Sequence, residues 1–159
     1  MLRKWGRGLK PKCFFVTSGK GVSEVSPLNA IDNALRDAGI AHLNIVKVTS
    51  ILPAGIREKQ SLNIEPGTVA FAVMTHEVGT RGDTISAGIA WARGDPYGYI
   101  VEAHVKNSSK DVKTILEEML KEVSIRSNLV LEKPKFRIEK LKIQDNTYGA
   151  VIAALVFEL

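Results

Sequence analysis

Cysteine is nearly missing from this sequence, because Cys13 is the single one among 159 residues. One thiol excludes an intrachain disulfide and any metal site built from several cysteines. The three histidines, His42, His76 and His104, are dispersed, and no spacing among them matches a metal-binding motif. The sequence therefore predicts no metal cofactor, and so few thiols fit a protein of the reducing cytoplasm.

The sequence also lacks a long apolar run, since the longest one spans only residues 149–157 and is too short to cross a bilayer as a helix. No apolar stretch follows the basic N-terminus, so no secretory signal is expected. Common catalytic motifs are missing too, and Thr80 replaces the second histidine of a zinc-protease motif that would begin at His76. We therefore expect a soluble cytoplasmic protein without a membrane partner.

The net charge of +5 comes from one end of the chain. Residues 1–12 hold five basic side chains and no acid, whereas residues 13–159 hold 17 basic and 17 acidic ones. The sequence therefore predicts a basic N-terminal tail, 1–12, followed by one domain, 13–159. Such a tail can contact RNA or an acidic partner. A solvated terminus explains it more simply, so no nucleic-acid partner is expected.

Two segments carry helix signals. In the first, Ser26 is a suitable N-cap, Pro27 occupies the first helical position and Gly39 ends the helix. The second helix is expected from a Ser108 or Ser109 cap to about residue 127, because apolar residues recur there at helical spacing. Alternation and apolar runs predict strands over residues 13–17, 43–50, 68–75, 83–92, 97–105, 135–143 and 148–158.

This order of elements indicates an α+β domain with a mainly antiparallel sheet. A glycine-containing loop is expected over residues 18–24, after the first strand. The runs 70–74 and 150–157 are apolar throughout, so both faces of their strands should be buried. Packing of one sheet on another, or of the sheet against another subunit, would bury both faces.

Asp32 is unusual because it lies among the apolar positions of the first helix. Leu28, Ile31 and Leu35 define the expected buried face, and Asp32 follows Leu28 by one helical turn. A buried acid needs a partner or a function. The simpler alternative places Asp32 at the margin of this face, in contact with water, and position alone favours that alternative.

Three further polar residues stand out on predicted strands. Asn44 and Ser50 share a strand face with two valines, and Glu102 lies on the more polar face of its own strand. Each has an ordinary explanation: an Asn that bonds a neighbouring backbone, a Thr-Ser pair that ends a strand, and a polar strip that faces solvent. Each pattern taken alone favours the ordinary explanation.

Taken together, these segments resemble the pyruvoyl-dependent arginine decarboxylases. The resemblance is strongest in PLNAIDNALRDAGIAHLNIVKVTSILP, residues 27–53, and continues through GDTISAGIA and YGYIVE. It implies a four-layer αββα sandwich of mainly antiparallel sheets that assembles as trimers or hexamers. It also implies a carbon–carbon lyase that converts L-arginine to agmatine and CO2, the first step of a route to polyamines.

The resemblance further implies that the chain is a zymogen that cuts itself between Thr49 and Ser50. Ser50 Oγ attacks the Thr49 carbonyl and converts the amide to an ester. Elimination then releases residues 1–49 as the β chain, and hydrolysis turns the former serine into the pyruvoyl cofactor of the α chain, 50–159. Many relatives have Ser where this chain has Thr49, a change that keeps a hydroxyl and leaves Ser50 intact.

Three more site residues follow from the resemblance. Glu102 matches the acid that protonates the carbon left by CO2, a role for which an apolar environment must raise its pKa. Asp32 matches the acid that binds the substrate guanidinium, and Asn44 matches an amide that acts in processing or cofactor orientation. The same chemistry on histidine or another basic amino acid is one alternative, and a non-catalytic RNA-binding module is the other.

Strand geometry adds a separate inference about Asn44 and Ser50. If residues 44–50 form one extended strand, the six residue steps separate these two side chains by roughly 20 Å. One active site cannot then use both residues from the same chain. We therefore expect Asn44, and with it Asp32, to serve the Ser50 of a neighbouring subunit.

Overall fold

The computed structural model describes residues 8–159, so most of the expected basic tail, residues 1–7, lies outside the described residues. Among residues 8–159, no helix is long and apolar enough to span a membrane. This part of the chain forms the elements β1 (Cys13–Ser23), α1 (Pro27–Asp37), β2 (Asn44–Lys47), β3 (Ile51–Pro53), β4 (Arg57–Lys59), β5 (Val69–Gly79), β6 (Thr84–Ala92), β7 (Tyr97–Lys106), α2 (Val112–Ser127), β8 (Lys135–Lys142) and β9 (Tyr148–Glu158).

Two sheets organise the strands. The five-stranded sheet has the order β2-β5-β9-β1-β4, and the four-stranded sheet has the order β3-β7-β6-β8. Neighbouring strands are antiparallel except at the two edges of the five-stranded sheet, where β2 pairs with β5 and β1 with β4 in parallel. The longest pairing joins β1 to β9 along both strands. The predicted α+β class with mainly antiparallel sheets is therefore confirmed.

The two faces of β9 explain why this strand is apolar throughout. Leu155 points into a core that it shares with Ile89 of the four-stranded sheet. Ile152 lies on the other face and packs with the alanines of α1. On the far side of the four-stranded sheet, α2 buries its own apolar stripe, including Leu116. This order of helix, sheet, sheet and helix fits the expected αββα sandwich.

Both helices begin at caps, of which one was predicted. At the start of α1, Ser26 Oγ accepts a hydrogen bond from the N–H three residues later (3.1 Å), and Gly39, with a φ of 76°, follows the end of the helix. These signals are confirmed. The N-cap of α2 is Asp111 rather than a serine. Ser108 instead closes a turn, in which its hydroxyl accepts from the Lys110 N–H (3.0 Å).

The buried face of α1 differs from the predicted one. The helix turns Ala30 and Ala34 toward the five-stranded sheet, and both are fully buried. Of the three large residues expected there, Leu28 is 74% exposed, and Ile31 and Leu35 are half-buried. The prediction was wrong because α1 lies too close to the sheet for large side chains to fit between them.

Strand β1 is longer than predicted because its glycines pack beneath α1. The expected loop over residues 18–24 is instead strand as far as Ser23. A Cβ on Gly21 would lie 2.6 Å from the Ala30 carbonyl oxygen, and one on Gly19 would lie 2.6 Å from the Ala38 nitrogen. These glycines therefore serve the close approach of helix and strand, and the loop prediction was wrong.

The predicted strand over residues 43–50 is divided between the two sheets. β2 ends at Lys47, although the Val48 N–H still donates to the Ala72 carbonyl oxygen (2.9 Å). The chain then leaves the five-stranded sheet, and Ile51 pairs with β7 in the other one. A single extended strand over residues 44–50 was therefore a wrong prediction, and the separation of roughly 20 Å estimated from it loses its basis.

Candidate active site

The Thr49–Ser50 peptide lies where the chain crosses from one sheet to the other. Thr49 is exposed and Ser50 is half-buried. The Ser50 carbonyl oxygen accepts a hydrogen bond from the Ile100 N–H of β7 (2.8 Å), and on the other side Val48 is bonded to the five-stranded sheet. The peptide that was predicted to break is therefore held between two anchored points.

A cavity of about 430 Å³ opens beside this peptide. Its walls include Thr49 and Ser50, the aromatic rings of Phe71 and Phe157 from the five-stranded sheet, and residues 9–11. A cavity of this size, with mainly apolar walls and a few polar groups, is typical of a small-molecule site. The crossing thus offers space for a ligand next to the residue proposed to react.

Glu102 lies on β7, two residues beyond Ile100, the hydrogen-bond partner of Ser50. Two residue steps correspond to roughly 7 Å of strand, so Glu102 and Ser50 belong to one region of one chain. The Glu102 side chain keeps contact with solvent, yet partial burial raises the pKa of its carboxyl, against the opposing positive charges of Lys47 and His104. A raised pKa is the property that a proton donor requires.

A group of polar side chains beside Glu102, where β5 faces β7, was not predicted from the sequence. Thr75 Oγ1 lies 2.9 Å from His104 Nδ1. Glu77 Oε2 lies 3.9 Å from His104 Nε2, and Glu77 Oε1 lies 3.9 Å from Lys106 Nζ. Alternation along β7 shows that His104 and Lys106 share a face with Glu102. Their contact with β5 depends on the packing of the two sheets, which no local pattern reveals.

Asp32 lies on the outer side of α1 and does not line the cavity beside Ser50. Its Oδ2 accepts hydrogen bonds from Arg36 Nε (3.0 Å) and Nη2 (2.8 Å). The Asp32 side chain is 46% exposed, so within one chain it reaches water, as the simpler alternative expected. It belongs to a groove of about 370 Å³ on α1, whose other walls include Leu28 and Leu35.

Asn44 begins β2, at the end of this strand farther from the crossing. Its Nδ2 donates a hydrogen bond to the Gly67 carbonyl oxygen (2.8 Å), which is a bond to a neighbouring backbone. Roughly 10 Å of strand separates Asn44 from Lys47, and Asn44 does not line the cavity beside Ser50. Glu102 does not line this cavity either, but it lies on the strand that bonds the Ser50 carbonyl oxygen, whereas Asn44 and Asp32 have no such link to Ser50 within one chain.

Comparison with known proteins identifies the family. The family model for pyruvoyl-dependent arginine decarboxylases matches residues 13–158. This chain belongs to that family. The pyruvoyl-dependent arginine decarboxylase of Methanothermobacter thermautotrophicus is 35% identical, over 89% of this chain and 93% of its own length. Pyruvoyl-dependent arginine decarboxylase 2 of Archaeoglobus fulgidus is 37% identical over 71% of this chain and 78% of its own, and the Pyrococcus furiosus enzyme is 33% identical over 82% and 85%.

Membership of the pyruvoyl-dependent arginine decarboxylase family covers every element of the fold. The match begins at Cys13, the first residue of β1, and ends at Glu158, the last residue of β9. It leaves out residues 1–12, the predicted basic tail. The family name specifies a pyruvoyl group, and Ser50, half-buried beside a cavity, has the residue type and the space that such a group needs.

Proposed function

We propose that this protein is a self-processing, pyruvoyl-dependent lyase that converts L-arginine to agmatine and CO2, the first step of a route to polyamines. The observation that carries the proposal is the family match over residues 13–158, which spans the whole fold. Relatives that match most of the chain bear the name of this activity. The cytoplasmic location expected from the sequence stays a prediction.

Processing is proposed to generate the pyruvoyl group from Ser50. The Thr49 acyl group moves from the Ser50 nitrogen to Ser50 Oγ, and loss of the Ser50 α-proton then expels the Thr49 carboxylate. Water replaces the amine as ammonia leaves, so a ketone remains at the new N-terminus of residues 50–159. The hydrogen bonds of the Val48 N–H and of the Ser50 carbonyl oxygen support this step, because they restrain the backbone on both sides of the peptide that breaks.

The pyruvoyl group supplies an electron sink for the electrons released as CO2 leaves. Glu102 donates the proton that the substrate carbon then needs, and its raised pKa keeps the carboxyl protonated to a higher pH than an ordinary glutamate. Lys47 and His104 oppose this effect, because their positive charges favour the ionised carboxylate. Thr75 holds the His104 ring in its place near Glu102.

Asp32 is proposed to bind the guanidinium end of the substrate. A carboxylate suits a guanidinium because the two planar groups can share parallel hydrogen bonds. Leu28, Ile31 and Leu35 line the same groove as Asp32 and offer an apolar wall for the methylene groups of arginine. Histidine or another basic amino acid is the alternative substrate, since Asp32 selects first of all for positive charge.

We further propose that subunits complete each other's active sites in a trimer or a hexamer. Asp32 and Asn44 do not line the cavity beside Ser50 of their own chain. The outer side of α1 presents exposed apolar residues, Leu28 and, just before the helix, Val25. Another subunit packed on this surface would bury both and would bring Asp32 to the Ser50 of its neighbour.

Intact mass under denaturing conditions tests the processing step. Two fragments divided after Thr49 are expected, and the larger should resist Edman degradation because a ketone replaces its amino group. Ser50→Ala should stay one chain and lack activity. Ser61→Ala, a matched change in an exposed loop, should process and react like the wild type. A wild type that remains one uncut species and releases no CO2 would contradict the proposal.

Release of CO2 from a panel of amino acids tests the choice of substrate. Arginine should react fastest in a panel that also contains ornithine, lysine, histidine and aspartate. A highest rate on histidine or another basic amino acid would favour the alternative substrate. A highest rate on aspartate would remove Asp32 from its proposed role, because two carboxylates repel each other.

A further inference from the structure

The carboxylate of Asp32 already holds a guanidinium group that belongs to the protein. Arg36, one helical turn later, donates from Nε (3.0 Å) and Nη2 (2.8 Å), and both bonds end on Oδ2. Among the residues that the structure describes, none donates a hydrogen bond to Asp32 Oδ1. In a single chain both side chains are open to solvent, 46% for Asp32 and 68% for Arg36.

Arg36 carries the same planar group, with the same five donors, as the proposed substrate. A second guanidinium that approaches Asp32 either displaces Arg36 or binds Oδ1 beside it. Displacement breaks the two bonds of Arg36, and binding beside it brings two positive charges together, which repel. In both cases Arg36 lowers the affinity of Asp32 for a cationic ligand.

We infer that Arg36 is a specificity-determining residue that competes with the guanidinium of the substrate for Asp32 and so raises KM. The inference rests on the proposed role of Asp32. An exposed ion pair one helical turn apart corresponds to about a twofold change in an equilibrium constant, and repulsion between the two cations adds to it. Arg36 therefore raises KM about two- to fivefold.

Helix α2 provides a matched control for this ion pair. Arg126 Nε donates to Glu122 Oε1 (2.7 Å), also one helical turn apart and at the surface. No proposed site residue lies on α2. Arg126→Gln therefore removes the same kind of helix ion pair as Arg36→Gln and leaves Asp32 unchanged.

The KM for arginine and the inhibition constant of agmatine test the inference in the full, self-processed protein. In Arg36→Gln both constants should fall about two- to fivefold, and kcat should stay nearly constant because Ser50 and Glu102 are unchanged. Arg126→Gln should match the wild type in all three quantities. Intact mass confirms that each variant is fully processed, so the differences belong to binding.

Asp32→Asn separates the inference from the role on which it rests. If Asp32 binds the guanidinium, Asp32→Asn raises KM, and the addition of Arg36→Gln to that variant lowers KM by less than it does in the wild type, because the competition for Asp32 is gone and only the repulsion between the two cations is relieved. A wild-type KM in Asp32→Asn overturns the role of Asp32 and the inference with it. A raised KM in Asp32→Asn, together with an unchanged or higher KM in Arg36→Gln, overturns the inference alone.

Discussion

The two helices cover opposite sides of the sandwich in different ways. α2 turns large residues such as Leu116 and Leu120 toward the four-stranded sheet, and its outer face carries ion pairs such as the one between Glu122 and Arg126. α1 turns alanines toward the five-stranded sheet and leaves Leu28 on the outside. α2 thus buries its large apolar residues and exposes mainly charged ones, with Ile125 as an exception, whereas α1 buries small residues and leaves Leu28 exposed.

In the proposed function, the outer face of α1 packs on another subunit and contacts the substrate. The proposed site residues divide in the same way. Asn44, expected to act in processing or cofactor orientation, stands apart from this division. Asp32, in the half of the sandwich that contains α1, is proposed to bind the substrate, whereas Glu102 and the β7 contact of Ser50, in the half that contains α2, are proposed to serve the chemistry. Changes in the first half should therefore affect KM and assembly, and changes in the second should affect kcat.

The largest effect is expected from Glu102→Gln, in the half that serves the chemistry. Glutamine keeps the size of the side chain but cannot donate the proton, so kcat should fall by about a hundredfold or more. KM should change little, in contrast to Asp32→Asn. Release of CO2 from labelled arginine, measured over a range of concentrations, gives both constants. A variant that keeps the wild-type kcat would remove Glu102 from its role.

The raised pKa of Glu102 adds a test by pH. The wild-type kcat should fall as pH rises through that pKa, because the carboxyl then has no proton to donate. The folded state also binds this proton more tightly than the unfolded chain does. The stability that Glu102 contributes at low pH is therefore lost as pH rises through its folded pKa. Glu102→Gln should thus be at least as stable as the wild type at neutral pH, and it should lose this pH dependence of kcat.

Local signals predicted those parts of the fold that local chemistry determines. Ser26 and Gly39 marked the ends of α1, and the continuous apolar run of β9 predicted a strand buried on both faces. The buried face of α1 could not be predicted, because it depends on Gly19 and Gly21 of a different element. From the sequence alone, without knowledge of the helix that packs on them, those glycines indicated a loop.

The members of the candidate site come from the family resemblance, and the roles of Asp32, Asn44, Ser50 and Glu102 stay predictions. The arrangement of these residues could not be predicted from the sequence. The alternation of β2 continues up to Ser50, so nothing local shows that the chain changes sheets there. Lys47, whose positive charge opposes the raised pKa of Glu102, could not be foreseen either, because it belongs to the opposite sheet.

Two glycine substitutions compare how closely the helices lie on their sheets. A Cβ on Gly19 would overlap the Ala34 carbonyl oxygen, which is rigid helix backbone. A Cβ on Gly88 would meet side-chain atoms rather than backbone, Val112 Cγ1 at 2.7 Å, Ile138 Cγ1 at 3.0 Å and Leu116 Cδ1 at 3.0 Å, and side-chain atoms shift at a lower cost than the backbone of a helix does. Gly19→Ala should lower the free energy of unfolding by about 3 kcal/mol, and Gly88→Ala by about 1 kcal/mol.

Urea unfolding at one protein concentration measures both changes, since assembly would otherwise shift the midpoint. A displaced α1 also moves Asp32, so Gly19→Ala should raise the KM for arginine while Gly88→Ala leaves it unchanged. Equal losses of stability in the two variants would show that the two helices pack equally closely on their sheets, which would contradict this comparison.

The smallest effect on the fold is expected from Leu28→Asp, which tests the outer face of α1. Leu28 is 74% exposed and Ile125, on α2, is 70% exposed, so either change to aspartate should cost a single chain no more than about 0.5 kcal/mol. If α1 packs on another subunit, Leu28→Asp buries a charge there and should shift assembly toward monomers, whereas Ile125→Asp should not. Sedimentation equilibrium measures this shift. Assembly, not activity, decides this test, because Leu28 also lines the groove proposed for the substrate, and a fully assembled Leu28→Asp would show that subunits meet elsewhere.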